Sequence, residues 1–238
     1  MTALAQRLKN RFFREEHPYR MFEREVESWL RPEHTLLDAG CGRTAPVLVN
    51  YRGRVKRLIG VDLVEFDTEV HGIELYRCDL SAIPIEDNSV DVIMARSVIE
   101  HVTDPARVYA EMYRVLKPGG RFVFLTANLW DYASLIAAVV PNRFHPWIVS
   151  KTEGREEQDV FPIAYRSNTR GAIRKWAKHA GLEIESFRYV GQYPSYFMFN
   201  GFLFLLGTAY EKLIRRVHLL NFLQGWIFVT LRKPATAG

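Results

Sequence analysis

Cysteine is scarce in this chain, with only Cys41 and Cys78 among its 238 residues. One lies in a turn and the other in a predicted strand, so neither a disulfide framework nor a metal cage is expected. Long apolar runs are also missing. The strongest stretch, residues 196–206, falls short of the ~20 residues that a spanning helix requires. No N-terminal segment couples a basic start to an apolar run, so no secretory signal is expected and the expected location is cytoplasmic. Charge of one sign is not abundant either. A net charge of +5 accommodates an anionic substrate without demanding nucleic acid, and no basic stripe with interleaved aromatics appears. Repeats and low-complexity tracts are absent. A composition 48% hydrophobic and 25% charged excludes disorder, and the length suits one α/β domain with a full core.

What the chain does have is a glycine turn after a short apolar run. His34-Thr35-Leu36-Leu37 leads into Asp38-Ala39-Gly40-Cys41-Gly42. Glycines there let the backbone approach a ligand closely. One strand further on, Asp62 closes Leu58-Ile59-Gly60-Val61 and can accept both hydroxyls of a ribose. Two ligand classes compete for such a turn. Gly40-Cys41-Gly42-Arg43-Thr44-Ala45 fits a permissive dinucleotide fingerprint, which would make the chain an NAD-dependent oxidoreductase. Asp38, two residues before Gly40, would repel a pyrophosphate but would welcome a cationic amino group. Asp79 ends the next run, and a fourth run, Val90 to Ala95, opens into Arg96-Ser97 and Glu100-His101. Acidic strand ends suit a ligand bearing an ammonium, a ribose and an adenine amine.

Four stretches in order carry a resemblance: LLDAGCG at 36–42, IGVDL at 59–63, CDLSAIPIEDNSVDVIMARSVIEHV at 78–102 and LKPGGRFVFLTAN at 116–128. With these the chain resembles a class I S-adenosylmethionine-dependent methyltransferase of the type 11 kind. The third glycine of the family's turn is here Thr44, which can cap the next helix, with Pro46 in its first turn. The resemblance implies a Rossmann-like seven-stranded sheet, mostly parallel with an antiparallel last strand, carrying a helical or irregular substrate cap. It also implies S-adenosyl-L-methionine as cofactor and S-adenosyl-L-homocysteine as product.

The pattern of the chain predicts one domain. Residues 1–31 read as a helical segment broken at His17-Pro18, and 32–128 as the cofactor-binding core. Strands are predicted at 35–39, 57–61, 73–78, 90–95 and 121–127, with helices at 45–52 and 104–116, Asp104 capping the second. Residues 129–168 read as a cap insertion. In 169–238 a helix at 169–180 ends at Gly181, strands lie at 182–190 and 226–231, and an apolar helix spans 195–221.

Roles fall on particular residues. Asp38 is expected to hold the cofactor ammonium, Gly40, Cys41 and Gly42 to line its path, Asp62 and Leu63 to take the ribose, and Asp79 with Leu80 the adenine. Ser97 would touch the methionine part. His101 stands beyond the end of the fourth strand, where a neutral imidazole can take a proton from a substrate hydroxyl. His145 or Asp159 could be that base instead. In the irregular region Arg143, His145, Arg155, Asp159, Tyr165, Arg166 and Asn168 accompany Trp147 and Phe161, a mixture suited to covering a pocket. His145, Asp159, Tyr165, Arg166 and Asn168 are the candidate acceptor contacts. No metal site is expected.

The expected activity (class EC 2.1.1.-) is methyl transfer to a small-molecule, glycan or lipid-linked acceptor. The pattern RxExDxFPxxYRxNT at 155–169 resembles methyltransferases of glycan and secondary-metabolite pathways. A non-catalytic S-adenosylmethionine-binding module is the other alternative. Three readings stay open for 196–216: a lid, a homodimer surface, or an interfacial membrane helix with Lys212, Arg215 and Arg216 near headgroups. Burial is the favoured expectation, with Phe199, Phe202, Leu203 and Leu206 facing inward.

Overall fold

The computed structural model describes residues 2–13, 16–67, 71–132, 134–135 and 162–235. Seven strands pair into one sheet: β1 (Thr35–Ala39), β2 (Arg57–Asp62), β3 (Glu74–Arg77), β4 (Val90–Arg96), β5 (Leu116–Ala127), β6 (Glu183–Val190) and β7 (Trp226–Arg232). Their order is β3-β2-β1-β4-β5-β7-β6. β1 to β5 run parallel to one another, and β7 runs antiparallel between β5 and β6. The chain moves outward from β1 to β3 and then returns to place β4 on the other side of β1. That reversal opens a crevice at the C-terminal ends of β1 and β4.

Alternation along the strands feeds two cores. Leu37, Ala39, Ile59, Val61, Ile93, Ala95, Phe122 and Phe124 face one side, with Val108, Tyr109, Met112 and Ile173. Leu36, Leu58, Val92, Met94, Val123 and Leu125 face the other, with Phe22, Val26 and Leu48. The first set meets α3 (Pro105–Val115) and α4 (Arg170–Ala180), the second α2 (Pro18–Trp29). Local chemistry bounds these helices. The Arg107 N–H donates to Asp104 Oδ1 at 3.3 Å, the Ala172 N–H donates to Thr169 Oγ1 at 3.1 Å, and Gly181 ends α4 in a left-handed conformation.

Several boundaries differ from expectation for identifiable reasons. The predicted helix at 45–52 is only a 3-10 turn, Leu48–Tyr51, and Ala45 adopts φ 44°, outside the helical region. β5 begins at Leu116, which pairs with Val90 before the register shifts to Val92 opposite Arg121. The helix expected over 195–221 is three pieces: a 3-10 turn at Ser195–Phe197, α5 (Gly201–Arg216) and a second 3-10 stretch at His218–Leu223. Asn200 resets the backbone by accepting the N–H groups of Phe202 and Leu203 at 3.0 and 3.2 Å. The N-terminal segment is broken as predicted, into α1 (Ala3–Phe12) and α2.

One expectation is overturned. Phe199, Phe202 and Leu206 are not buried; they are 65%, 65% and 53% exposed, and Leu203 is half-buried. The opposite face of α5, with Phe204, Gly207, Thr208, Glu211 and Ile214, packs inward. Among the described residues no helix is long and apolar enough to cross a membrane.

Candidate active site

The glycine turn lies in the crevice where the strand order reverses. Gly40 has φ +85° and Gly42 φ +74°, a region that disfavours side chains. A Cβ at Gly40 would sit 2.1 Å from Val98 Cγ2, so the β1 turn passes directly against the segment leaving β4. The Gly40 and Cys41 N–H groups donate to the Val61 carbonyl at 2.8 and 3.1 Å, which fixes the turn to β2. Cys41 is buried there, and burial beside Asp38 and Asp62 pushes its thiol far up, so it is not a nucleophile.

Two carboxylates face this turn in different surroundings. Asp62 ends β2 and accepts the Gly42 N–H on Oδ2 at 2.7 Å and the Val64 N–H on Oδ1 at 3.2 Å. Each oxygen keeps a lone pair for a further donor. Asp38 is 4% exposed, and among the described residues no hydrogen bond reaches its carboxyl. Burial pushes that carboxyl up to about 7, against the opposing pull of the Arg96 guanidinium and with an added push from Asp62. Leu63 is 52% exposed beside Asp62. Asp79 is exposed and accepts the Ser81 N–H at 2.8 Å, while Leu80 packs against the core.

The end of β4 carries the rest. Ser97 takes φ 57°, and its N–H donates to the Leu125 carbonyl at 2.9 Å. Its hydroxyl lies 3.1 Å from the Tyr19 hydroxyl, reaching across from α2. Arg96 stacks over the Tyr19 ring at 4.5 Å and donates to Glu23 at 3.0 Å. Tyr19 and Arg96 thus border the crevice although no sequence motif marks them; the one available signal is a guanidinium at a strand end. His101 Nδ1 is 3.1 Å from the Pro162 carbonyl. A carbonyl only accepts, so Nδ1 carries a proton.

Behind His101 a buried polar network joins the two halves. Thr126 Oγ1 donates to Glu100 Oε2 at 2.7 Å, and Asn168 Nδ2 donates to Thr126 Oγ1 and the Ala127 carbonyl, both at 2.8 Å. The Ala164 and Tyr165 N–H groups donate to the Glu100 carbonyl at 2.8 and 3.1 Å. Asn168 is fully buried, and its Oδ1 has no partner among the described residues. Arg166 is exposed, and its carbonyl accepts the Trp176 indole N–H at 3.2 Å. Tyr165 has φ 50° and is half-buried; burial raises its hydroxyl, with a bond to Ser134 opposing. Tyr132 stacks on Phe197 at 5.7 Å and meets Tyr210 edge-on at 5.6 Å, next to Asp131. His145, Asp159, Arg143, Trp147, Arg155 and Phe161 lie outside the described residues. A shallow cavity of about 150 Å³ opens elsewhere, between Phe13, His17 and Tyr193, and shares no residue with the turn.

A family model described as Methyltransferase domain matches residues 37–124, from β1 through β5. A Mycolicibacterium smegmatis protein described as a "probable S-adenosylmethionine-dependent methyltransferase" is 36% identical over 63% of this chain and 62% of its own. The ubiquinone/menaquinone biosynthesis C-methyltransferase of Acidiphilium cryptum is 30% identical over 54% of this chain and 55% of its own. The chain spans 32%, 62% and 55% of the length of the first three curated relatives that it matches. In fold, it superposes on a Streptomyces coelicolor geranyl diphosphate C-methyltransferase, solved with S-adenosyl-L-homocysteine. The TM-score is 0.56 at 16% identity, over 98% of this chain and 84% of that one. Turn, strand order and family match converge: residues 37–124 carry a methyltransferase domain, and the chain around it is similar to S-adenosylmethionine-dependent methyltransferases.

Proposed function

We propose that the protein transfers a methyl group from S-adenosylmethionine to a small-molecule, glycan or lipid-linked acceptor by in-line displacement. The carrying observation is Asp38, a buried carboxyl beside the Gly40 turn. A dinucleotide pyrophosphate would meet repulsion there, whereas a ligand ammonium would supply a counter-charge in direct contact with the carboxyl. Gly40 and Gly42 hold the left-handed angles that fold the turn, a Cβ at Gly42 would meet open space, and Asp62 keeps lone pairs for two ribose hydroxyls. Asp79 and Leu80 suit the adenine amine and ring face. Arg96 is placed to balance a ligand carboxylate, with Tyr19 and Ser97 closing the same end.

When bound, S-adenosylmethionine supplies a methyl already activated on a sulfonium, so alignment matters more than covalent help. The residues beyond β4 and β5 would do the aligning. Where the acceptor is a hydroxyl, His101 Nε2 takes its proton while Nδ1 stays tied to Pro162. His145 and Asp159 are the alternative bases, and an amine acceptor needs none. Tyr132, Tyr165 and Tyr210 give the acceptor side aromatic walls, which favours an acceptor with an apolar portion.

Calorimetric titration distinguishes this reading from a nicotinamide-dependent oxidoreductase. S-adenosylhomocysteine should bind and NAD should not. Binding of NAD without S-adenosylhomocysteine would overturn the assignment.

A further inference from the structure

α5 is amphipathic in an unusual sense. Its inward face carries Thr208 and Glu211 among Phe204, Gly207 and Ile214. Its outward face carries Phe202, Leu205, Leu206 and Leu213, exposed at 65%, 45%, 53% and 55%. At about 100° per residue these four share an arc of ~120° with Lys212 and Arg216. α1 runs beside α5 in the same direction, Leu4 against Gly201 at one end and Phe12 under the Lys212 ammonium at 3.9 Å at the other. Leu4 extends the apolar patch, and Arg7 and Arg11 lie beyond it on the exposed side of α1. Phe199 leads into the patch, and Leu219, 86% exposed, continues past its far end.

Charge is as lopsided as polarity. α1 contains no acidic residue, and the only carboxylate of 195–223, Glu211, is buried and lies 3.8 Å from Arg215. Among the described residues no ion pair engages Arg7, Arg11, Lys212 or Arg216. A contiguous exposed apolar patch on a globular fold marks an interaction surface. Flanking cations without anions select a negatively charged partner. A second copy of the chain would bring these cations against each other under two-fold symmetry. A helix of 16 residues is too short to span a bilayer and long enough to lie in its interface.

We propose that the outward face of α5, with α1, docks on an anionic lipid bilayer. Phe202, Leu205, Leu206 and Leu213 enter the headgroup–acyl boundary, and Arg7, Arg11, Lys212 and Arg216 meet lipid phosphates. The face is distinct from the crevice at β1 and β4, so this docking does not depend on the methyl-transfer reading.

Sedimentation of the full chain with vesicles of phosphatidylcholine, with and without phosphatidylglycerol, tests it. Anionic vesicles should capture the protein at low salt, and raising salt to ~0.5 M should release most of it. Arg11→Gln with Arg216→Gln should lower partitioning by ~10-fold or more. Phe202→Gln with Leu206→Gln should abolish capture while leaving the circular dichroism and melting transition of the free protein in place. No capture by anionic vesicles, or equal capture by neutral ones, would overturn the proposal. So would a concentration-dependent dimer dissolved by the Phe202→Gln and Leu206→Gln pair, which would assign the face to a second copy.

Discussion

At the end of β1 a carboxyl group lies out of water, while along α5 phenyl and isobutyl groups lie in it. The two regions invert the ordinary rule in opposite directions, and both inversions cost stability. Burial raises the Asp38 carboxyl to about 7 because the charged form has lost its hydration. Phe202 and Leu206 forgo the transfer free energy that burial would return, ~1.5–3 kcal/mol for a large side chain. Buried charge and exposed oil are the informative departures from a globular pattern. The difference between them is what each lacks: Asp38 lacks a cation bonded to it, and α5 lacks an apolar surface with negative charge at its rim.

Substitutions can break this contrast, the largest effect first. With a hydroxyl acceptor, His101→Gln should slow turnover by ~10²-fold and leave S-adenosylhomocysteine affinity intact in calorimetry. Wild-type turnover would move the base elsewhere. Asp62→Ala should weaken cofactor binding by at least ~1.5 kcal/mol in a protein that still melts cooperatively, since a charged acceptor is lost from the crevice and not from the core. Unchanged affinity would show that the ribose lies elsewhere.

Asp38 gives a signed pH effect. Its folded-state pKa is raised from the ordinary 3.8 to about 7, so the ligand-free native state holds the proton more tightly than the unfolded chain. Stability of the ligand-free protein should therefore fall as pH rises from about 4 to about 7. Asp38→Asn should remove that slope and stabilise the ligand-free protein at pH 8 by ~1 kcal/mol or more. The same variant should bind S-adenosylmethionine more weakly. In the wild type, affinity should decline below pH ~7, by up to tenfold per unit, as the carboxyl takes up the proton that an ammonium would displace. A flat melting profile across that range would refute the assigned burial of charge. At the other region, Leu206→Gln should change the melting free energy by no more than ~0.5 kcal/mol, because the site is already wet. A large destabilisation would mean that α5 is covered after all.

The strands are legible because buried parallel strands are runs of branched and aromatic residues between turn formers, and Asp38, Gly40, Gly42 and Asp62 sit at their ends. What escapes reading depends on contacts distant in sequence. Tyr19 reaches Ser97 across 78 positions, and nothing local to Tyr19 marks it. The 45–52 segment closes as a 3-10 turn with Ala45 at φ 44°, although alanine otherwise favours helices. On α5 the apolar count is right and the face is wrong. Hydrophobicity says that a side chain avoids water, not what it meets instead. Glu211 carries the hint, since a lone acid at helical spacing from Thr208 and Phe204 marks an inward face able to hold it.

The contact between Gly40 and Val98 makes two parts of the crevice into one mechanical piece. Any side chain at position 40 would have to displace Val98, which lies only three positions before His101 on the same short connection. A methyl group added to the turn would therefore act as a spacer, shifting the proton acceptor relative to the bound cofactor. Damage of that kind would register first as misaligned chemistry and only second as lost binding.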